Sequence, residues 1–178
     1  MTERFYRGFR MRSGGEVRWA AFFDQVGWQW EYEPPGLCAG GGYIPDFLLY
    51  YAERPLLIEA KPGEFKIEDL YQYVPKIVAA QCKYDVAILL RQPLDLLTDR
   101  NPLVGIYGAC VAGGTRHWSS ARLCKCTQCF ACVLVAEEGD LRCPSCGFVG
   151  VSGTDLVARW WAKACALEQY LWDEGAAP

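Results

Sequence analysis

The 178-residue chain has one histidine, no apolar run long enough to cross a bilayer, no internal repeat or low-complexity tract, and no excess of positive charge. Each absence narrows the field. A lone histidine is more often a surface or core residue than a ligand, so His117 enters only as a substitute beside the cysteines discussed below. A membrane span needs about 20 apolar residues, and the first ten residues are polar and aromatic rather than a secretory signal. A cytoplasmic chain with no membrane partner is therefore expected, in the host cytoplasm if it is phage-encoded. A net charge of −3 with a pI near 5.3 excludes a protein that coats nucleic acid, so any such contact must be local. No ATPase motif is present, which points to a stand-alone protein or a subunit of a larger system.

Two stretches carry candidate chemistry: Tyr43-Ile44-Pro45-Asp46-Phe47 and Leu56-Leu57-Ile58-Glu59-Ala60-Lys61. Both place charge at the end of a strongly apolar run, where buried strands emerge. The strand period of two sends Glu59 and Lys61 to one face and Ala60 to the packed opposite face. Two carboxylates suit a hard divalent cation, Mg2+ or Mn2+, which takes oxygen ligands. A water activated by the ion would then be the nucleophile, with Lys61 orienting it or balancing charge on a scissile phosphate. The competing reading is a turn aspartate after proline and a solvated Glu-x-Lys. Convergence of both at strand ends favours a site.

The set Pro45-Asp46 with Glu59-Ala60-Lys61 resembles the PD-(D/E)XK nuclease superfamily. Residues 12 to 23, Arg12-Ser13-Gly14-Gly15-Glu16-Val17-Arg18-Trp19-Ala20-Ala21-Phe22-Phe23, look like its first core helix, with Glu16 where many members carry another acid. The resemblance implies an α/β fold with a restriction-endonuclease-like α-β-β-β-α-β core, a mixed central sheet flanked by helices. It also implies that Asp46, Glu59 and the backbone of Ala60 ligate Mg2+ or Mn2+, that Glu16 binds a second ion or its water, and that DNA is the substrate. Within the superfamily the chain is most similar to small phage and bacterial members that pair this helix and hairpin with a CxxC ribbon. RecB-like members use a Gln and, four residues on, a Tyr to touch substrate. Gln72 is present here but Lys76 holds the other position, so that pattern is absent. Gln72 and Lys76 would share a helix face where Lys76 can meet a phosphate, or an ordinary solvated face.

Periodicity supports the same order of elements. Residues 12 to 26 read as a helix stopped by Gly27, and 28 to 32 as a strand. Residues 43 to 51 and 56 to 60 read as a hairpin around the turn 52 to 55. Residues 66 to 82 read as a helix kinked by Pro75, 85 to 90 and 103 to 111 as strands, and 154 to 172 as a closing helix capped by Ser152 or Thr154. Its Trp160-Trp161 pair is expected in the core. The expected organisation is a nuclease core over 1–115, a ribbon insertion over 116–152 and a returning helix over 153–178.

Ten cysteines are the other dense feature. Cys126-Thr127-Gln128-Cys129 and Cys143-Pro144-Ser145-Cys146 form a C-x2-C…C-x2-C arrangement suited to a tetrahedral structural zinc ion. The intervening residues 133–136 and 141–142 read as two strands around a turn, resembling a zinc-ribbon hairpin. Cys124 or Cys132 can substitute, since Cys129-Phe130-Ala131-Cys132 is itself a C-x2-C; Cys143 and Cys146 are the firmest pair. An iron–sulfur cluster that recruits Cys38 is the alternative, and Cys82, Cys110 and Cys165 read as small core residues. Basic residues gather near the N-terminus, Arg12 among them, and around the ribbon at Arg116, Arg122, Lys125 and Arg142, where they can meet phosphates.

The function expected from these readings is a Mg2+- or Mn2+-dependent endonuclease acting on DNA, as a homodimer or as a subunit of a larger DNA-processing system, with a zinc ribbon. The alternative is a catalytically silent nuclease-fold module that recruits DNA or protein through the ribbon. An RNA-cleaving enzyme is less favoured, because metal-ligand acids imply activation of water rather than attack by the ribose 2′-OH.

Overall fold

The computed structural model describes residues 4–35, 43–50, 55–61, 63–75, 77, 84–94, 101–110, 116–137, 142–152 and 155–175. A short hairpin opens the chain, β1 (Arg4–Tyr6) and β2 (Phe9–Met11), turned by Arg7 and Gly8 with φ of 49° and 82°. Two consecutive positive φ values are what a two-residue hairpin turn requires.

Helix α1 (Gly14–Val26) follows, and its start is written in Ser13. The Ser13 Oγ accepts from the Glu16 amide at 3.2 Å and donates to Glu16 Oε1 at 2.9 Å. Its serine–glutamate spacing is that of a capping box. The helix ends at Gly27, left-handed at φ 77°, and the Trp28 amide closes the last turn onto the Phe23 carbonyl at 2.8 Å. Val17, Trp19, Ala20, Ala21, Phe22 and Phe23 are all buried.

Three antiparallel strands come next: β3 (Gln29–Tyr32), β4 (Phe47–Tyr50) and β5 (Leu56–Ala60). Helix α2 (Ile67–Leu70) then crosses to β6 (Asp85–Leu94), which runs parallel to β5. A parallel pair needs such a crossover. β7 (Leu103–Cys110), β8 (Arg116–Cys126), β9 (Cys132–Ala136) and β10 (Val151–Ser152) extend the sheet antiparallel, and α3 (Leu156–Gly175) closes the chain. Eight of the described strands form one sheet in the order β10-β8-β7-β6-β5-β4-β3, with β9 beside β8. The fold is mixed α/β with a mostly antiparallel sheet.

Side-chain alternation divides the core between the two faces of that sheet. Leu56, Ile58 and Ala60 face a layer with α1 and α3, while Leu57 faces Leu70, Ile77, Val86 and Ile88 on the other side. Trp161 of α3 lies against Trp19 at 4.7 Å between ring centroids and Phe22 at 5.9 Å, so that half of the tryptophan pair is core as expected; Trp160 is half-buried.

Several elements differ from the sequence reading. The strand expected from residue 43 begins only at Phe47, because Pro45 lacks the ladder donor; Tyr51 and the turn at 52–54 lie outside the described residues. The helix expected over 66–82 is described as α2, a tighter 3-10 turn at Tyr71–Tyr73, and helical Val74, Pro75 and Ile77. The tightening falls just before Pro75, while Val74 itself keeps the α conformation at φ −52° and ψ −48°. Lys76 and Cys82 lie outside the described residues. Ser152 is a strand residue paired with Lys125 rather than a cap, and Thr154 is not among the described residues. Arg116–Arg122 of β8 pairs with β7, and its far end pairs with β9. Residues 132–136 therefore take β8 as partner, whereas Arg142 bridges to Val149.

Trp161→Ala removes the largest side chain joining α3 to α1. We expect a loss of about 3–5 kcal/mol of unfolding free energy, read by urea denaturation. A loss under about 1 kcal/mol would contradict the packing described.

Candidate functional site

The register of β4 against β5 pairs Phe47 with Ile58. Continued by one residue, it sets Asp46 opposite Glu59, on the face shared with Leu48 and Leu57. Asp46 is 3% exposed, and its Oδ2 accepts from the Ala60 amide at 2.7 Å. Its Oδ1 receives Arg12 Nη2 at 2.5 Å. Glu59 holds Lys61 Nζ at 2.6 Å on one oxygen and the Tyr43 hydroxyl at 2.5 Å on the other. The Lys61 amide is anchored on the Leu89 carbonyl at 2.9 Å, and its ammonium lies 3.9 Å from the Tyr73 ring centroid.

Glu16 reaches the same place from α1. It is 4% exposed, and its Oε2 accepts from the Tyr32 hydroxyl at 2.7 Å and the Arg12 amide at 3.0 Å. Arg12 also pairs through Nε with Glu33 Oε1 at 3.1 Å, and lies at 4.0 Å from Glu16 Oε2. Glu33 adopts the left-handed region at φ 43°, where a non-glycine residue is strained; its amide donates to the Asp46 carbonyl at 2.9 Å.

Four carboxylates, Glu16, Glu33, Asp46 and Glu59, thus meet two cations, Arg12 and Lys61, an excess of two negative charges when all four are ionised and of one when Asp46 holds a proton. Burial, then the charges of Glu59 and Glu16, push the Asp46 carboxyl from its ordinary 3.8 up to about 7, against the pull of the Ala60 amide and Arg12. The Tyr43 hydroxyl is also raised, by burial first and then by Glu59, so it stays a donor to that carboxylate. Tyr32 is raised by burial and by its bond to Glu16.

Beside this cluster, at the C-terminal ends of β5 and β6, opens a cavity of about 350 Å3 lined in part by Gly63, Phe65, Leu90, Arg91 and Gln92. Arg91 and Gln92 are exposed, so the cavity offers polar groups and, four residues beyond Lys61, the aromatic wall of Phe65.

The second centre lies at the end of β8. The ligand atoms of Cys126, Cys129, Cys143 and Cys146 all lie within 4.8 Å of one another. Cys126 and Cys146 sulfurs are 3.7 Å apart, and those of Cys129 and Cys143 are 3.6 Å apart. A disulfide would bring them to about 2.05 Å, whereas a tetrahedral ion with bonds near 2.3 Å sets sulfurs about 3.8 Å apart. Burial raises the Cys126 thiol, but the amides of Cys129 and Gln128, at 3.5 and 3.4 Å, and the neighbouring thiols bring it down to about 6. The four cysteines can hold a metal ion such as zinc. Among the described residues this is the one group of three or more His, Cys, Asp or Glu side chains gathered closely enough to do so.

The structure brings together Glu16, Asp46, Glu59 and Lys61, and separately the four cysteines of the paired knuckles. Cys124 and Cys132 are buried beside Val133 and in the main core respectively, not in the thiol cluster. Arg12, expected to meet a phosphate, is paired with three carboxylates. Gln72 is exposed and donates to the Asp69 carbonyl at 2.7 Å. Sequence reasoning passed over Tyr32, Tyr43, Glu33 and Tyr73; of these only Tyr43 carried a signal, being three residues from Asp46 in the same motif.

No protein-family model matches the chain, and neither the curated proteins nor the solved structures contain one that matches it significantly. The reading of the site therefore rests on its own chemistry.

Because the folded Asp46 keeps a proton that the unfolded chain releases above about pH 4, the metal-free protein should lose stability as pH rises from about 4 to about 7. The Asp46 contribution to that loss is up to about 4 kcal/mol. Denaturation near pH 5 and pH 8 without divalent ions reads it; an equal slope in Asp46→Asn would contradict the assignment.

Proposed function

We propose that the chain is a Mg2+- or Mn2+-dependent nuclease hydrolysing DNA phosphodiester bonds at Asp46, Glu59 and Lys61. The observation that carries this is the excess of carboxylates over cations in an all-oxygen cluster at the end of two core strands, with Glu16 and Asp46 buried. One hard divalent ion would balance it, and carboxylates are the ligands such ions take. The order α1-β3-β4-β5-α2-β6, with the acids on β5 and just before β4, is consistent with the restriction-endonuclease-like core of the PD-(D/E)XK superfamily.

On this reading Asp46, Glu59 and the backbone of Ala60 would hold the ion, with Glu16 close by for a second ion or its water. When bound, the ion supplies charge neutralisation at the phosphate and acidifies water. The chain's own residues do the rest. The Ala60 amide fixes one oxygen of Asp46, and Tyr43 fixes one oxygen of Glu59, so both carboxylates are aimed before substrate arrives. Lys61, anchored by its amide on β6, presents an ammonium where charge grows on the phosphate. Arg12 must leave Asp46 for the ion to enter, and it is the more exposed partner, with 59% of its side chain accessible against 4% for Asp46. The cysteine knuckles would hold a structural Zn2+ in place of a larger core. RNA remains a second substrate class to test.

The second reading, a nuclease-fold module that binds without cutting, draws on one observation: every oxygen of Asp46 and Glu59 already has a protein donor. A fully satisfied buried network can serve stability alone.

Linear, circular, single-stranded and branched DNA, with an RNA control, separate the two when incubated with Mg2+, Mn2+ or no divalent ion. We expect metal-dependent cutting that falls at least about a hundredfold in Lys61→Ala and Asp46→Ala. A folded, zinc-loaded protein that cuts nothing, or cuts equally well as Lys61→Ala, would overturn the nuclease reading.

A further inference from the structure

Each cysteine knuckle ends in a phenylalanine that the core does not use. Phe130 directly follows Cys129 and is 64% exposed; Phe148 follows Cys146-Gly147 and is 43% exposed. The knuckles are close backbone equivalents. The residue after the second cysteine is left-handed in both, Phe130 at φ 62° and Gly147 at φ 72°. Glycine is the unstrained choice there, as the second knuckle has it. A phenylalanine at the same position accepts strain and also exposes its ring to water, two penalties that packing does not offset.

Two cations stand beside the rings, where four thiolates and a zinc ion would carry a net charge of about −2. Lys125 Nζ lies 4.8 Å from the Phe130 ring centroid. Arg142, on the other knuckle, donates to the Gly147 carbonyl at 2.9 Å and is exposed. Exposed rings set beside cations suit unpaired bases, whose faces stack on aromatics while lysine and arginine meet the phosphates.

The sheet puts these rings on the same edge as the acid cluster. β6 is parallel to β5, β7 antiparallel to β6 and β8 antiparallel to β7, so β5 and β8 point the same way. In register, Glu59 pairs with Ile88, Ile88 with Ile106, and Ile106 with Ser120. Three strand spacings of about 4.8 Å, with six residues from Ser120 to Cys126 at about 3.3 Å each, put the knuckles roughly 25 Å from Glu59. That is roughly seven steps of a duplex strand at about 3.4 Å, and fewer of an extended single strand.

We propose that Phe130 and Phe148 form a stacking platform for a single-stranded segment of the nucleic acid whose backbone reaches the acid cluster, with Lys125 and Arg142 on its phosphates. The proposal rests on the nuclease reading for its substrate and narrows that substrate to one carrying an unpaired stretch. Its test is binding, so the two fail separately.

The experiment uses the full-length, zinc-loaded protein without added Mg2+ or Mn2+ and follows the fluorescence anisotropy of labelled oligo(dT) and of a duplex of equal length. The wild type should bind the single strand at least about tenfold more tightly than the duplex, more weakly as salt rises. Phe130→Gly, which supplies the residue the conformation favours, should keep its zinc and its fold and lose about tenfold in affinity; Phe148→Ala, at the other knuckle, should lose a similar factor. A preference for duplex, no binding of oligo(dT), or wild-type affinity in both zinc-loaded variants would overturn the proposal. Tight single-strand binding with no cleavage under any metal would support it and sink the nuclease reading alone.

Discussion

Four carboxylates and two cations crowd the end of β4 and β5, and the rest of the site is organised around that imbalance. Placing charge where water is scarce is costly, and well-packed apolar residues usually serve a core at least as well. The chain nevertheless commits separate elements to it. Ser13 both starts α1 and holds Glu16; Tyr32 and Tyr43 give their hydroxyls to Glu16 and Glu59; Glu33 adopts a strained backbone while its carboxylate meets Arg12. A raised Asp46 carboxyl is the electrostatic signature of the same crowding.

The sheet supplies the frame for that cluster. The single parallel step between β5 and β6, made through α2, keeps the C-terminal end of β5 open beside the cavity at Gly63 and Phe65. The length of β8 then carries the sheet past its neighbours to the thiol cluster, so both centres lie toward one edge. Trp161 on Trp19 ties the last helix to the first, and α1 in turn positions Glu16.

Much of this was legible in the sequence because it depends on local periodicity. The apolar spacing of α1, the serine–glutamate cap and Gly27 specify one helix, and the alternation around Glu59 and Lys61 specifies a face. Cys126, Cys129, Cys143 and Cys146 were legible from spacing, whereas the rejection of Cys124 and Cys132 needed the strand: both lie within the β8–β9 ladder, buried under apolar neighbours. What the sequence left hidden depends on convergence between distant segments. Nothing local tells that Arg12 faces Asp46, 34 residues away. The ribbon partner was misassigned for a similar reason, since residues 133–136 suit either neighbour and the long β8 takes them. Pro45 delayed the start of a strand that periodicity alone would have begun at residue 43.

We propose that a divalent cation at Asp46 and Glu59 offsets the excess of carboxylate charge. Crystals soaked in Mn2+ and measured at its absorption edge test it most directly. The account predicts an anomalous peak between the two carboxylates with the Arg12 guanidinium withdrawn from Asp46. No peak at that position while Arg12 remains on Asp46, at a Mn2+ concentration that saturates ordinary carboxylate sites, would contradict it.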